Sequence, residues 1–314
     1  MPQLHISKSI QIQASPELVF ARVCDFKQWP AWSPWLCAEP DCPLTFANDG
    51  SSYSWDGKWI GSGSLTRVEA TEQERLVCQL EMLKPWKSTS EVIFTLVPAE
   101  GGTEITWTMN GSLPFYLFFL KGMMTCMVGM DYARGLRMLK EYVETGTVIS
   151  QIEYPGQESV GEMEYIGVRN QCKITELEST MLDDFNKLFQ WYDSQDVEAS
   201  GRPFTAYHKW KFGNGSCEYT IGLPFEPDAV VVPPGFVNDR IPACQAFIVR
   251  YTGPYRNLGN AWAAGMARQQ AQVFAADKKI PPFEIYENDP RETPENELVT
   301  RLCFPVRQVR SRTS

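Results

Sequence analysis

The residue best placed to do chemistry is an acid near the end of the chain, Glu284. It stands between Phe283 and Ile285, with Tyr286 following, in a stretch whose alternation predicts a short strand. The stretch ends at Asn288-Asp289-Pro290, because Pro cannot donate to a strand ladder and Asn and Asp favour turns. Glu284 is therefore either a solvated strand acid or the polar anchor of an apolar pocket, where desolvation would raise its pKa.

Other reactive groups are scarce in the composition. The chain of 314 residues has two His and nine Cys, and no two Cys are spaced as CxxC, which argues against a structural zinc site. His208 is expected to be a solvated side chain at a strand end. The cysteines are expected to be reduced thiols, several of them buried, and no metal or cofactor is predicted. The net charge of −9 argues against direct binding of nucleic acid.

The length suggests two domains of about 150 residues each. In the first half, Leu4 to Gln13 alternates as a strand with one buried face, and Ser15-Pro16-Glu17 has the composition of a helix start. Trp29, Trp32 and Trp35 follow with two Pro among them, which predicts an aromatic loop that folds over the core as a lid.

Five further segments between residues 52 and 110 have strand composition, with a hairpin turn at Glu100-Gly101-Gly102. The apolar stretch Leu113 to Met130 has a Lys in its middle, so it predicts a buried helix and not a membrane span. An amphipathic helix continues to about Glu144. Strand, helix, antiparallel sheet and long closing helix predict a helix-grip fold with a cavity between sheet and helix.

Two segments carry a resemblance to a known family. They are the Trp-rich segment Asp25 to Trp35 and the segment Asp131 to Glu144, which contains a Gly-Leu-x-x-Leu-Lys pattern. Over residues 3–146 the chain resembles the polyketide cyclase/dehydrase-like branch of the START (SRPBCC) superfamily. The resemblance implies an apolar ligand cavity and no particular reaction, because that superfamily hosts several functions.

The second half contains an internal repeat. The matching segments, paired by position, are 164–169 with 245–250, 219–225 with 300–306, and 203–208 with 282–287. Two amphipathic helices, predicted over 174–193 and 255–276, lie between the matching segments. The unit strand–helix–strand–strand is thus used twice, which predicts one pseudo-symmetric sheet with both helices on one face.

The two copies differ at the position of the acid. Thr205 in the first copy corresponds to Glu284 in the second, whereas Tyr207 and Tyr286 are equivalent. We expect a ligand groove at the pseudo-dyad, on the face opposite the helices. The predicted ligand-binding residues are Glu284, Tyr286, Tyr207, Trp262 and Tyr255. Trp262 lies on an apolar helix stripe and is alternatively a core residue.

A second resemblance rests on five segments, which are 251–255, 286–290, 293–294, 297–298 and 303–306. Over residues 160–306 the chain resembles the gyrase-inhibitor-like domain, which is also the effector-binding domain of AraC-type regulators. The resemblance implies a small-molecule pocket between the two repeats, with Glu284 facing cationic aromatic ligands. It also implies that some members act as hydrolases of reactive cyclopropane-bearing compounds. A helix-grip domain stands where the regulators have a helix-turn-helix, so direct DNA binding is not expected.

We therefore predict an α+β protein with a helix-grip domain (1–148), a linker (149–159), a duplicated β-α-β-β effector-binding domain (160–306) and a tail (307–314). We expect it to be cytoplasmic and to sense or sequester a hydrophobic or cationic aromatic small molecule. A link to transcription would run through a protein partner. One alternative is a hydrolase that detoxifies electrophilic compounds with Glu284 as general base. Another is a groove that docks a protein, as in gyrase inhibition.

Overall fold

The computed structural model describes residues 3–113, 115–195, 197–226 and 231–307. The chain divides into two compact units, Met1–Val148 and Ile149–Ser314. Each unit combines helices with one antiparallel sheet, which agrees with the predicted α+β class. The predicted tail lies, after Arg307, outside the described residues.

The first unit has the predicted helix-grip arrangement. In chain order, its described part forms β1 (Gln3–Ile12), α1 (Pro16–Cys24), α2 (Pro34–Ala38), β2 (Leu44–Phe46), β3 (Ser52–Asp56), β4 (Ser62–Thr71), β5 (Arg75–Lys84), β6 (Ser88–Ala99), β7 (Gly102–Ser112) and α3 (Lys121–Thr145). The strands form one sheet in the order β1-β7-β6-β5-β4-β3-β2. The long helix α3 packs on this sheet, where the ring of Tyr132 stacks on Trp107 with 4.1 Å between centroids.

Local sequence accounts for the helix ends. Ser15 caps α1, because its side-chain oxygen accepts a hydrogen bond from the backbone N–H of Leu18, and Pro16 occupies the first turn. At the other end of the unit, α3 stops at Gly146, whose φ of 83° is left-handed. These are the helix start and the helix-grip closure that the sequence predicts.

The Trp-rich segment belongs to the core, and its prediction as a lid is wrong. A short 3₁₀ helix, Phe26–Ala31, and α2 carry the segment inward, so that Trp29 and Trp32 are 2% and 0% exposed. The ring of Trp32 lies 4.7 Å from Trp29 and 5.7 Å from Trp107, centroid to centroid. These rings occupy the described core between sheet and α3, where the resemblance implied a ligand cavity, because large aromatic side chains gain the most from burial there.

The apolar stretch from Leu113 to Met130 also differs from its prediction as a buried helix. Its first part is a 3₁₀ helix, Phe115–Leu120, in which Tyr116, Phe118 and Phe119 are 69%, 59% and 67% exposed. On a helix with three residues per turn, Tyr116 and Phe119 lie on one face and Phe118 on another, and all three rings are exposed. Among the described residues, no helix is long and apolar enough to cross a membrane.

The second unit is built from the predicted duplication. In chain order, its described part forms β8 (Gln151–Val160), β9 (Met163–Lys173), α4 (Leu177–Tyr192), β10 (Phe204–Lys211), β11 (Ser216–Pro224), β12 (Val237–Ile241), β13 (Cys244–Thr252), α5 (Gly259–Gln270), β14 (Phe283–Tyr286) and β15 (Val299–Pro305). The sheet order is β12-β9-β11-β10-β14-β15-β13-β8. It is symmetric about the β10–β14 junction, since each copy contributes three strands and an edge strand flanks each side.

Two boundaries in this unit differ from expectation. Most of the predicted linker is the edge strand β8, which pairs with β13. Pro155 is accommodated there because the strand lies at an edge and the register shifts opposite Ile248 and Arg250. The second repeat helix ends at Gln270 and not at residue 276 as predicted, and Val273 beyond its end is 44% exposed.

The two faces of the second sheet are covered differently. Helices α4 and α5 pack on the same face, as predicted, with α4 over Tyr207 and α5 over Leu302. The opposite face carries a buried cluster of strand side chains, including Phe204 and Phe283, which are both fully buried. The prediction of a groove on that face is therefore wrong, because these two rings fill the space at the pseudo-dyad.

We expect Trp32→Ala to lower the free energy of unfolding by about 3–5 kcal/mol, because it removes a fully buried ring from a packed aromatic cluster. Denaturant titration measures this loss. The control is Tyr116→Ala, a ring that is mostly exposed, whose cost should stay within about 0.5 kcal/mol. A loss for Trp32→Ala as small as that of the control would contradict a core role for the Trp segment.

Candidate functional site

The acid and its neighbours lie at the junction of the two repeats. Strands β10 and β14 pair there, and the repeat-equivalent residues Thr205 and Glu284 are directly opposite each other. Tyr207 and Tyr286 follow two residues later on their strands, so they point to the same face as Thr205 and Glu284. The duplication thus brings one tyrosine from each copy to a single carboxylate.

Three hydrogen-bond donors surround the carboxylate of Glu284. Its Oε1 accepts from the hydroxyl of Tyr286 at 2.6 Å and from that of Tyr207 at 2.8 Å, and its Oε2 accepts from Trp262 Nε1 at 2.6 Å. Since Tyr286 gives its only hydroxyl proton to the carboxylate, Thr205 Oγ1, at 2.9 Å, donates to Tyr286. Glu284 is 1% exposed, so it is a buried acid and not a solvated acid on a strand face.

The electrostatics of this cluster follow from its burial. Burial raises the pKa of Glu284 above its ordinary 4.5, while the hydrogen bonds from Tyr286, Trp262 and Tyr207 act in the opposite direction. Burial, followed by the charge of Glu284, raises the pKa of Tyr207 and of Tyr286 well above 10. All three donors are neutral, so when Glu284 is ionised its negative charge is held by dipoles and remains able to attract a positive charge.

Aromatic rings surround the cluster toward the surface. Tyr255 is 36% exposed and lies edge-on to Tyr286, with centroids 5.5 Å apart, and Phe185 of α4 lies edge-on to the same ring at 5.4 Å. On the other side, Trp262 lies edge-on to Tyr207 at 4.9 Å. Burial raises the pKa of Tyr255 to about 12, so its hydroxyl stays protonated at neutral pH. We call Tyr255, Phe185 and Tyr286 the aromatic wall.

The structure brings the five predicted site residues together, and their role in ligand binding remains a prediction. The set is Glu284, Tyr286, Tyr207, Trp262 and Tyr255. They lie on the helix-bearing face and not on the face that we expected. The structure adds two residues that the sequence analysis did not assign to the site, Phe185 and Met181, and Met181 Sδ lies 3.8 Å from the Tyr207 hydroxyl. Their spacing of four residues on an apolar helix stripe could have indicated that both face the sheet.

His208 lies outside this cluster. Its Nε2 is 2.7 Å from Thr220 Oγ1, and burial lowers its pKa. It is half-buried and not the solvated side chain that we expected. Within the described ranges, no group of three or more His, Cys, Asp or Glu side chains is arranged to hold a metal ion.

The fold and the cluster define a two-domain protein with a helix-grip unit and a duplicated effector-binding unit. Residues 156–307 match the family model of the GyrI-like small molecule binding domain. Residues 3–144 match the family model described as polyketide cyclase / dehydrase and lipid transport. The two resemblances are thereby confirmed: the chain carries a START-like domain followed by a GyrI-like small-molecule-binding domain.

Several solved structures are similar to this chain. EcmrR in an EcmrR–DNA complex is 18% identical, with 60% of this chain and 66% of that one covered and a TM-score of 0.40, so the chain spans just under two thirds of that protein. The EcmrR C-terminal domain is also 18% identical, with coverages of 52% and 100% and a TM-score of 0.40. A START superfamily protein from Mycobacterium smegmatis is 20% identical, with coverages of 46% and 99% and a TM-score of 0.33. The comparison with curated proteins finds no match.

We expect stability to depend on pH through Glu284. Its pKa is raised on folding, so its contribution to stability is complete below the unfolded pKa of about 4.5 and is lost as the pH rises through the folded pKa. The free energy of unfolding of the wild type, relative to Glu284→Gln, should therefore fall with increasing pH. Urea denaturation between about pH 4 and 8 measures this difference.

Asp289→Asn is the control with the opposite sign. Hydrogen bonds from Arg291 lower the pKa of Asp289, so its contribution is present above the unfolded pKa and is lost as the pH falls. The difference between wild type and Asp289→Asn should rise with pH, mainly below the ordinary pKa of 3.8, so this control is titrated down to about pH 3. A wild-type advantage over Glu284→Gln that also rises with pH would contradict a raised pKa for Glu284.

Proposed function

We propose that the second unit binds a hydrophobic or cationic aromatic small molecule at the aromatic wall, and that the protein senses or sequesters this ligand. The observation that carries the proposal is a buried carboxylate, Glu284, whose three donors are neutral phenol and indole groups. The match of residues 156–307 to a small-molecule-binding domain supports it. We propose that any effect on transcription runs through a protein partner, since the net charge of −9 disfavours contact with nucleic acid.

In this proposal the ligand contacts rings, and the carboxylate acts from behind them. Tyr255 offers the exposed ring, and Tyr286 lies between it and Glu284. A phenol that donates to a carboxylate has a more electron-rich ring, which attracts a cation more strongly. A cation over such a ring gains about 0.5–2 kcal/mol, and a nearby unpaired negative charge adds to this where water is excluded.

The same geometry favours binding over hydrolysis. A general base must reach the proton that it abstracts, directly or through one water molecule. In this structure both carboxylate oxygens of Glu284 already accept hydrogen bonds, and the side chain is 1% exposed. An attacking water would have to enter this buried cluster to reach the lone pair that remains on Oε2. A ligand at Tyr255 needs no such entry.

We expect Glu284→Gln to weaken the binding of a cationic aromatic dye by about tenfold to a hundredfold, the equivalent of losing one buried charge interaction of about 1.5–3 kcal/mol. A neutral aromatic compound of similar size should lose much less, because its contact with the rings is unchanged. For the wild type, affinity for the cation should increase as the pH rises through the raised pKa of Glu284. Fluorescence titration at several pH values measures all three effects.

Glu287→Gln is the matched control, because it makes the same chemical change three residues further on. Glu287 Oε1 lies 3.1 Å from Arg301 Nε, so this acid is already paired with a cation. The control should bind cationic and neutral compounds as the wild type does. Equal affinity of wild type and Glu284→Gln for the cation would contradict the proposal that Glu284 attracts the ligand.

Turnover separates the hydrolase alternative from binding. A panel of electrophilic and strained-ring compounds is incubated with the protein and followed by mass spectrometry for the addition of water. We expect the compounds to be recovered unchanged, because Glu284 is 1% exposed and both of its carboxylate oxygens already accept hydrogen bonds. Water addition that Glu284→Gln abolishes would replace the binding proposal with a catalytic one.

A further inference from the structure

Two cysteines face each other across neighbouring strands of the second sheet. In the β9–β11 register, Cys172 is the direct partner of Cys217, and both are free thiols. Directly opposed residues of antiparallel strands have Cα atoms about 4.5–5.5 Å apart. This is within the range of about 4.4–6.8 Å that allows a disulfide between two cysteines, so the two sulfurs can approach each other closely enough to share one ligand atom. Both side chains belong to the apolar cluster beneath α4, so they lie on the same face.

The surroundings keep both groups as neutral thiols. Burial raises the pKa of Cys172, and it raises the pKa of Cys217 to about 12. Cys217 is 1% exposed, whereas Cys172 is half-buried and is the sulfur that solvent reaches first. Zinc requires about four ligands with deprotonated thiols, and the described residues contain no group of three or more His, Cys, Asp or Glu arranged for a metal. The pair therefore suits a ligand that takes two thiols and forms a neutral product.

We propose that Cys172 and Cys217 form a dithiol site that chelates trivalent organoarsenic compounds. An organoarsenous acid has one carbon substituent and two hydroxyl groups on arsenic. Each thiol replaces one hydroxyl, so two As–S bonds form, two As–O bonds break, and the two thiol protons leave in two molecules of water. Nothing is oxidised or reduced, and the product carries no charge.

The number of thiols gives this site its specificity. An organoarsenous acid has two exchangeable hydroxyl groups, and two sulfurs replace both of them. Its carbon substituent is apolar, like the cluster around Cys217. Inorganic arsenite has three exchangeable oxygens, so binding to two thiols would leave a polar As–OH group among buried side chains. Such a group costs free energy unless it is hydrogen-bonded. The site should therefore prefer the organic compound to arsenite.

The dithiol pair lies in one row with the candidate ligand site. Cys217 lies on β11, and on the other neighbouring strand, β10, its direct partner is Trp210. The ring of Trp210 stacks on Tyr207, with 5.2 Å between centroids, and Tyr207 donates to Glu284. Arsenic bound to the two sulfurs would thus lie next to the side chain that supports one of the three donors. The dithiol proposal itself does not depend on which ligand Glu284 attracts.

Phenylarsine oxide is the probe, and peptide mass spectrometry of the full-length protein is the measurement. We expect one arsenic atom that joins the peptide containing Cys172 to the peptide containing Cys217. The adduct should persist in excess glutathione, a monothiol, and be released by a small 1,2-dithiol, because only a second chelator competes with two sulfurs. Arsenite under the same conditions should leave little or no bridged product.

Variants of each cysteine complete the test. Cys172→Ser should lose the adduct at this site, and Cys217→Ser should keep only a single-sulfur adduct on Cys172 that glutathione removes. Cys244→Ser is the control, since Cys244 is also half-buried but faces Val160 in the register, and it should retain the bridge. Peptide assignment also separates this site from Cys78 in the first unit, whose pKa is raised by burial and by the nearby Cys24. Absence of a bridge in the wild type, or a glutathione-resistant adduct in Cys217→Ser, would overturn the proposal.

Discussion

The burial of one carboxylate constrains the whole second unit. Glu284 has left water, so its charge persists only while protein groups replace the lost hydration. The replacements come from β10, β14 and α5, through Tyr207, Tyr286 and Trp262. A shift of any of these elements would leave a buried charge under-bonded, and a partly satisfied polar network is worse than an apolar one. The two repeats and the helix of the second copy must therefore pack in one arrangement.

The first unit contains a half-buried acid whose charge is balanced by a cation. Asp131 accepts hydrogen bonds from Trp35 Nε1 at 3.2 Å and from Arg134 at 2.8 Å. The guanidinium neutralises this carboxylate, so it offers little attraction to a further cation. Glu284 has only neutral donors among its hydrogen bonds, and its charge is not cancelled. Asp131 and Glu284 thus differ in whether their charge remains available to a further cation.

The duplication led sequence reasoning to group Glu284 with Tyr207 and Tyr286, and the face on which they lie was predicted wrongly for a physical reason. The central strands are buried on both faces, so alternation separates Phe283 from Glu284 without telling which side the helices cover. The Trp segment was misjudged because Pro34 begins a short helix instead of only breaking one. The opposition of Cys172 and Cys217 depends on strand register, which no local pattern in this chain encodes.

The pairing of Thr205 with Glu284 breaks the two-fold symmetry at the centre of the second sheet. A site with two identical halves would bind an elongated ligand in two equivalent orientations, and neither end of the ligand could be distinguished. In the proposed ligand site the acid stands in one half only, so the charged end of a ligand would have a lower energy on the side of β14. The proposal thus makes a symmetric scaffold directional, because it would distinguish the two ends of a molecule that differ in charge. A second acid at residue 205 would remove that distinction.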